Sequence, residues 1–203
     1  MRANLQRVTK EVRHLGVIGD VHARIDLLQR ASDALEAAGV DIVVCVGDIY
    51  AQREGSAECC RFLRDRRIQT VRGNHDRWFL DAAGRDRDLR TSIGPDAIEF
   101  LSALPITLTI HSVAGPVLLC HGVGSNDLAH IPQTFPNSFV RRAIRLGLIP
   151  ADCKLVIHGH SHLQRQQHLG GIRFVTVGPL HSHPSAGCIT IDSQNDLVST
   201  VAY

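Results

Sequence analysis

Five short motifs hold the residues able to do chemistry: Gly19-Asp20-Val21-His22, Gly47-Asp48, Gly73-Asn74-His75-Asp76, His121-Gly122 and Gly159-His160-Ser161-His162. Singly, each has an ordinary structural reading. Asp20 or Asp48 could cap a helix or loop, Asn74 to Asp76 could form a turn, and His121 could be a satisfied core histidine. Jointly they offer carboxylate and amide oxygens with imidazole nitrogens and no thiolates. That donor set suits divalent first-row metals better than a structural cysteine-rich zinc site. Arg24, Arg53 and Arg77 each lie a few residues from a motif and offer guanidinium forks for a phosphate. His181 and His183 follow a predicted strand and could line the same pocket, whereas Arg61, Arg64, Arg66 and Arg67 read as an exposed helix face and its exit.

These motifs can act together only if separate elements deliver them to one place. Leu15 to Ile18 reads as a buried strand ending in Gly19-Asp20, and Ala23 to Ala38 shows helical spacing of Leu27, Leu28, Ala31, Ala34 and Leu35, with Gly39 to stop it. Asp41 to Val46 is a second buried strand, Ser56 to Arg66 a helix, and Ile68 to Val71 a third strand leading into Gly73-Asn74. The order βαβαβ implies parallel strands, whose carboxyl ends are where open α/β sheets bind ligands. In the second half, Ile106 to Val113 and Val117 to Cys120 read as a hairpin around Ala114-Gly115-Pro116. A long loop then starts at Gly122, and a helix opens near Pro136 and closes near Gly147. Lys154 to Ile157 is a buried strand running into His158-Gly159-His160. Gln164 to Leu169 and Ile172 to Val177 flank Gly170-Gly171 as a hairpin, and Cys188 to Ile191 with Leu197 to Val201 form a last pair. One domain is expected over residues 1–203.

Composition narrows the partners. The 203 residues carry 22 Lys and Arg against 20 Asp and Glu, a net charge of +2, which argues against nucleic acid or a membrane surface as partner. Six Phe, two Tyr and one Trp are outnumbered by 12 His, so base-stacking platforms for nucleic acid are not expected. The stretch from Phe100 to Asn126 lacks Asp, Glu, Lys and Arg, but Pro105 and Gly115-Pro116 break it and Ile106, Leu108 and Ile110 alternate with polar residues, a strand pattern. No membrane span is expected. The start, MRANLQRVTKEVRH, reads as neither secretory signal nor anchor, so a cytoplasmic location is expected. The six cysteines show no CxxC pair and read as buried, reduced thiols.

The ordered set G-D-x-H, G-D, G-N-H-D, H-G and G-H-x-H resembles the calcineurin-like metallophosphoesterase family from Gly19 to His162. The resemblance implies an α/β fold of two packed mixed β-sheets flanked by helices, with two divalent metal ions. Mn²⁺ is the expected ion, with Fe, Zn or Ni as alternatives. It further implies that Asp20, His22 and His162 bind one metal, that Asn74, His121 and His160 bind the other, and that Asp48 bridges them. His75 matches the family's non-ligand catalytic histidine, and His158 finds no ligand role. A bridging carboxylate holds two cations about 3.5 to 4 Å apart, so one hydroxide can bind both and attack phosphorus in line. His75 would protonate the leaving oxygen.

The expected function is metal-dependent hydrolysis of phosphomonoester or phosphodiester bonds in a small phosphorylated or nucleotide substrate. Protein phosphatases of this type carry G-D-x-V-D-R-G. Here Gly47-Asp48-Ile49-Tyr50-Ala51-Gln52-Arg53 has Ala51 in place of the carboxylate that orients the catalytic histidine, which leaves Asp76 as a substitute. Ala51 with GNHD is similar to dinucleoside-polyphosphate hydrolases, and the intact GHSH is more like small bacterial phosphodiesterases. A phosphoprotein phosphatase and a dinucleoside polyphosphate hydrolase remain alternatives. The non-enzyme alternative is a protein-binding scaffold on the same fold, disfavoured because a scaffold need not keep every ligand.

Overall fold

The computed structural model describes residues 11–131, 137–181 and 187–203. Its first half alternates as the periodicity predicts: β1 (His14–Ile18), α1 (Ile25–Ala37), β2 (Ile42–Cys45), α2 (Ser56–Asp65) and β3 (Gln69–Thr70). The three strands pair in parallel, and the terminal hairpin of β9 (Cys188–Asp192) and β10 (Leu197–Thr200) adds antiparallel to β1. The order is β10-β9-β1-β2-β3.

A second sheet holds β4 (Thr107–Ser112), β5 (Gly115–Cys120), β6 (Leu155–His158), β7 (Arg165–Leu169) and β8 (Ile172–Thr176) in the order β4-β5-β6-β8-β7. Its central strands β5, β6 and β8 are parallel, and the edge strands β4 and β7 are antiparallel. Helix α6 (Asn137–Arg145) lies in the crossover from β5 to β6. Two mixed sheets flanked by helices are therefore observed, as expected.

Side-chain alternation holds the layers together. Leu15 and Val17 of β1 meet Val117 and Leu119 of β5 between the sheets, while Ile18 turns the other way, onto Leu28, Leu35 and Leu63 of the helices. Leu118 and Cys120 face outward against Val140 and Ala143 of α6. Strands buried on both faces read as unbroken apolar runs, which explains VLLC and IVVC. Each such side chain contributes about 1.5 to 3 kcal/mol on burial, and a one-residue slip of β1 would move Gly16 and Ile18 into the inter-sheet layer. All six cysteines are buried free thiols, and burial pushes those of Cys59, Cys120 and Cys188 up to about 12. Among the described residues no helix is long and apolar enough to cross a membrane.

One local expectation is corrected, and one motif resolves into a helix. The β4–β5 turn is Val113-Ala114, not Ala114-Gly115-Pro116: Ser112 pairs with Gly115, and the Ser112 hydroxyl donates to the Gly115 carbonyl at 2.7 Å, drawing Gly115 and Pro116 into β5. Asn74 to Asp76 form no isolated turn but open helix α3 (Asn74–Ala83), followed by α4 (Arg87–Ile93) and α5 (Pro95–Ala103). The signals for these helices are present in the sequence. Asp86 caps α4 by accepting from the Asp88 and Leu89 amides, and Pro95 opens α5 just after Gly94.

Candidate metal centre

Asp20, Asp48, Asn74, His121 and His160 all lie just beyond the carboxyl ends of strands, on β1, β2, β3, β5 and β6 in turn. The two sheets splay these ends into one crevice. The backbone there is strained: His22, Asp48, His160 and His162 have φ of 46°, 48°, 66° and 57°, a left-handed conformation uncommon outside glycine. The glycines before Asn74 and His160 have a steric reason. A Cβ on Gly159 would run into Asp20 Oδ1, and one on Gly73 into Asp48 Oδ1.

The donors form two adjoining groups. Ligand atoms of Asp20, His22, Asp48 and His162 all lie within 4.8 Å of one another, with His162 Nε2 3.1 Å from Asp20 Oδ2. Beside them, Asn74 Oδ1 is 2.9 Å from both His121 Nε2 and His160 Nδ1. Asp48 stands between the groups. Its Oδ2 is 3.9 Å from His22 Nε2 and 3.3 Å from His121 Nε2, while its Oδ1 accepts the His75 amide at 2.9 Å.

This donor set fits a cation on electrostatic grounds. Asp20 and Asp48 are 0% and 1% exposed, and among the described residues only imidazoles form ion pairs with them. Buried carboxylates without a firm positive partner are costly. Burial opposes charge on His121, but Asp48 and then Asp20 overcome it and raise the ring to about 9, so positive charge is favoured at that spot. His121 Nδ1 donates to the Val46 carbonyl at 2.7 Å, which leaves Nε2 directed at Asn74 and Asp48. Burial lowers His22 and His160, favouring the neutral, ligating imidazole, whereas the hydrogen bond to Asp20 raises His162.

His158 lies behind the site with its Nε2 3.1 Å from Thr176 Oγ1, and burial pushes it down to about 4. His75 faces the crevice from the first turn of α3, its ring 4.9 Å from that of His22 and 5.1 Å from that of Trp78. Asp76 does not orient it. Asp76 Oδ1 accepts the Ile49 and Tyr50 amides and Oδ2 accepts the Gly73 amide, so Asp76 pins the β2 loop to α3. Burial, then the charge of Asp48, pushes its carboxyl up to about 7. Replacing it by alanine strands three amides, each costing about 1 to 3 kcal/mol. Asp76→Ala should therefore lose at least about 3 kcal/mol in urea unfolding, and a loss below about 1 kcal/mol would refute this role.

The arginines divide. Arg24 is clasped by Asp26 at 2.8 Å and Arg77 by Asp127 at 2.7 Å, the latter tying α3 to the loop after β5. Arg53 forms no ion pair among the described residues. His181 lies at the mouth, 5.5 Å from His22 and 5.8 Å from His162 between ring centroids. Burial, followed by the charge of His162 and then of Arg24, lowers its basicity. His183 falls outside the described residues.

Two mixed sheets flanked by helices, with these donors gathered at the strand ends, have the architecture of the calcineurin-like metallophosphoesterase fold. The family model of the calcineurin-like phosphoesterase superfamily domain matches residues 14–196, and the chain belongs to that superfamily. It is similar to serine/threonine-protein phosphatase 1 of Salmonella typhimurium, 35% identical over 79 residues, which is 38% of this chain and 37% of that one. The matches span between a third and just over three fifths of the curated relatives' length. Among solved structures, a hypothetical protein of Pyrococcus horikoshii superposes with a TM-score of 0.72 at 15% identity, covering 94% of this chain and 88% of that one. A metallophosphoesterase of Sphaerobacter thermophilus gives 0.66 at 18% identity, covering 93% and 87%.

Proposed function

We propose that the protein hydrolyses phosphoesters at a two-metal centre bridged by Asp48. The observation that carries this reading is the place of Asp48 Oδ2, which faces His22 of one donor group and His121 of the other. In the proposal Asp20, His22 and His162 hold one ion, Asn74, His121 and His160 hold the second, and Mn²⁺ is the expected metal. Two divalent ions held there would lower the pKa of an attacking water and neutralise charge on the transferring phosphoryl group. The chain's own residues do the rest. Asn74 donates an oxygen without adding negative charge, and the Val46 carbonyl fixes the His121 tautomer. His75 holds a proton toward the leaving oxygen. Arg53, which forms no ion pair among the described residues, is the first candidate to take a phosphate oxygen, whereas Arg24 and Arg77 have Nε and Nη2 held by Asp26 and Asp127.

The local similarity to a serine/threonine phosphatase keeps phosphoprotein substrates as the second reading. A protein-binding scaffold would not need the complete donor set. Metal-stripped protein reconstituted with Mn²⁺ should bind close to two ions per chain by elemental analysis. It should then turn over at least one of an aryl monoester, an aryl diester, a dinucleoside polyphosphate or a phosphoserine peptide. Full activity at one ion per chain would overturn the two-metal centre, and no turnover on any of the four would overturn the phosphoesterase reading.

A further inference from the structure

Past His75, on the side away from the donor groups, a cavity of about 460 Å³ opens between α3 and the loop after β2. Trp78 and Phe79 of α3, Tyr50 and Gln52 of the loop, and Leu89 of α4 wall it, with His75 at its inner end. The Tyr50 and Phe79 rings stack with centroids 4.2 Å apart. Trp78 stays 47% exposed, an indole face that the fold leaves without full packing. Among the described residues no acidic or basic side chain other than His75 lines the space. An uncharged aromatic cleft with one amide at its rim suits a planar ring that stacks and also carries donors and acceptors on its edge.

We propose that this cavity binds the nucleobase of a nucleotide-derived substrate, stacked on Trp78, with its phosphate at the Asp48 centre. The inference rests on the phosphoesterase reading and supplies its substrate class. Spacing favours a nucleotide over an aryl or tyrosyl ester. His22 to His75 is 4.9 Å and His75 to Trp78 a further 5.1 Å between ring centroids, so Trp78 stands two ring contacts from the metal-binding side chains. A ring bonded directly to the ester oxygen would end against His75. A base set off by a sugar reaches past it, and the Gln52 amide can then meet the base edge.

Trp78 is the one tryptophan of the chain, so its fluorescence reports on this cavity. Adenosine, which lacks a phosphate, should quench it saturably in the metal-loaded protein, and ribose should not. Filling the cavity with Ala51→Phe should weaken adenosine binding roughly tenfold, within the range that one stacked base contributes. The same substitution should lower, by a similar factor, the ratio of kcat/KM for an adenosine 5′-phosphoester to that for the matching methyl ester. If circular dichroism shows that Ala51→Phe misfolds, Ala82→Phe fills the cavity from α3. Absence of saturable quenching by adenosine, equal quenching by ribose, or affinity unchanged in the folded filled variant would each overturn the assignment. So would tighter binding of a phosphoserine peptide than of adenosine. Turnover of aryl esters without adenosine binding would sink this inference alone, whereas adenosine binding without turnover of any ester would sink the phosphoesterase reading.

Discussion

Asp48→Asn should abolish most metal binding and lower kcat/KM beyond the roughly 10- to 100-fold that follows loss of a supporting partner at a metal site. The reason is geometric. Asp48 Oδ2 faces ring nitrogens of both donor groups, so in the proposed two-metal centre one substitution removes a negative charge from both ion sites at once. Folding should survive. Asparagine tolerates the left-handed backbone at this position, φ 48°, and its amide oxygen can still accept the His75 amide. Arg53→Ala should cost less, since it removes at most one contact to substrate. Elemental analysis and kinetics at saturating Mn²⁺ check both variants, and near-normal turnover of Asp48→Asn would refute the bridge.

His75→Gln should separate substrates by their leaving groups. An aryl oxide departs unprotonated, whereas an alkyl oxide or sugar hydroxyl needs a proton in the transition state, and positioned proton transfer is worth about 10² to 10⁴ in rate. The loss should fall in that range on alkyl or ribose esters and stay within about tenfold on nitrophenyl esters, with metal content unaltered. The structure removes one expected support, because both Asp76 oxygens are engaged by backbone amides and neither holds the His75 ring. Packing between His22 and Trp78 sets the ring instead. Equal losses on both ester types with two ions bound would show that His75 positions phosphate or water and does not donate the proton.

The donor residues and their order were legible in the sequence because Asp20, Asp48, Asn74 and His160 each follow a glycine just past a strand, His22 and His162 stand two residues further on, and His121 ends an apolar run. Steric crowding explains that regularity: strand ends converge so closely that a Cβ on Gly73 or Gly159 would strike Asp48 or Asp20. The strands were legible for a related reason, since burial on both faces leaves unbroken apolar runs such as VLLC. Helix α4 is not legible as an apolar period because it buries no residue, although Asp86 caps it and Gly94-Pro95 marks the start of α5. The β4–β5 turn falls before Gly115-Pro116 because the Ser112 hydroxyl closes it on the Gly115 carbonyl.

By itself the sequence determined which donor groups exist, that the first half is a parallel βαβαβ unit, and which family the motifs resemble. Only the tertiary structure decided how those groups are shared. It put Asp48 between the two histidine groups, engaged Asp76 with three amides, and closed Arg77 onto Asp127, 50 residues away. It also opened the aromatic cavity beyond His75. Residue type and local periodicity fix what an element can offer and which face it buries. The distance between side chains far apart in the chain is set by sheet order, register and inter-sheet packing, which no local pattern encodes.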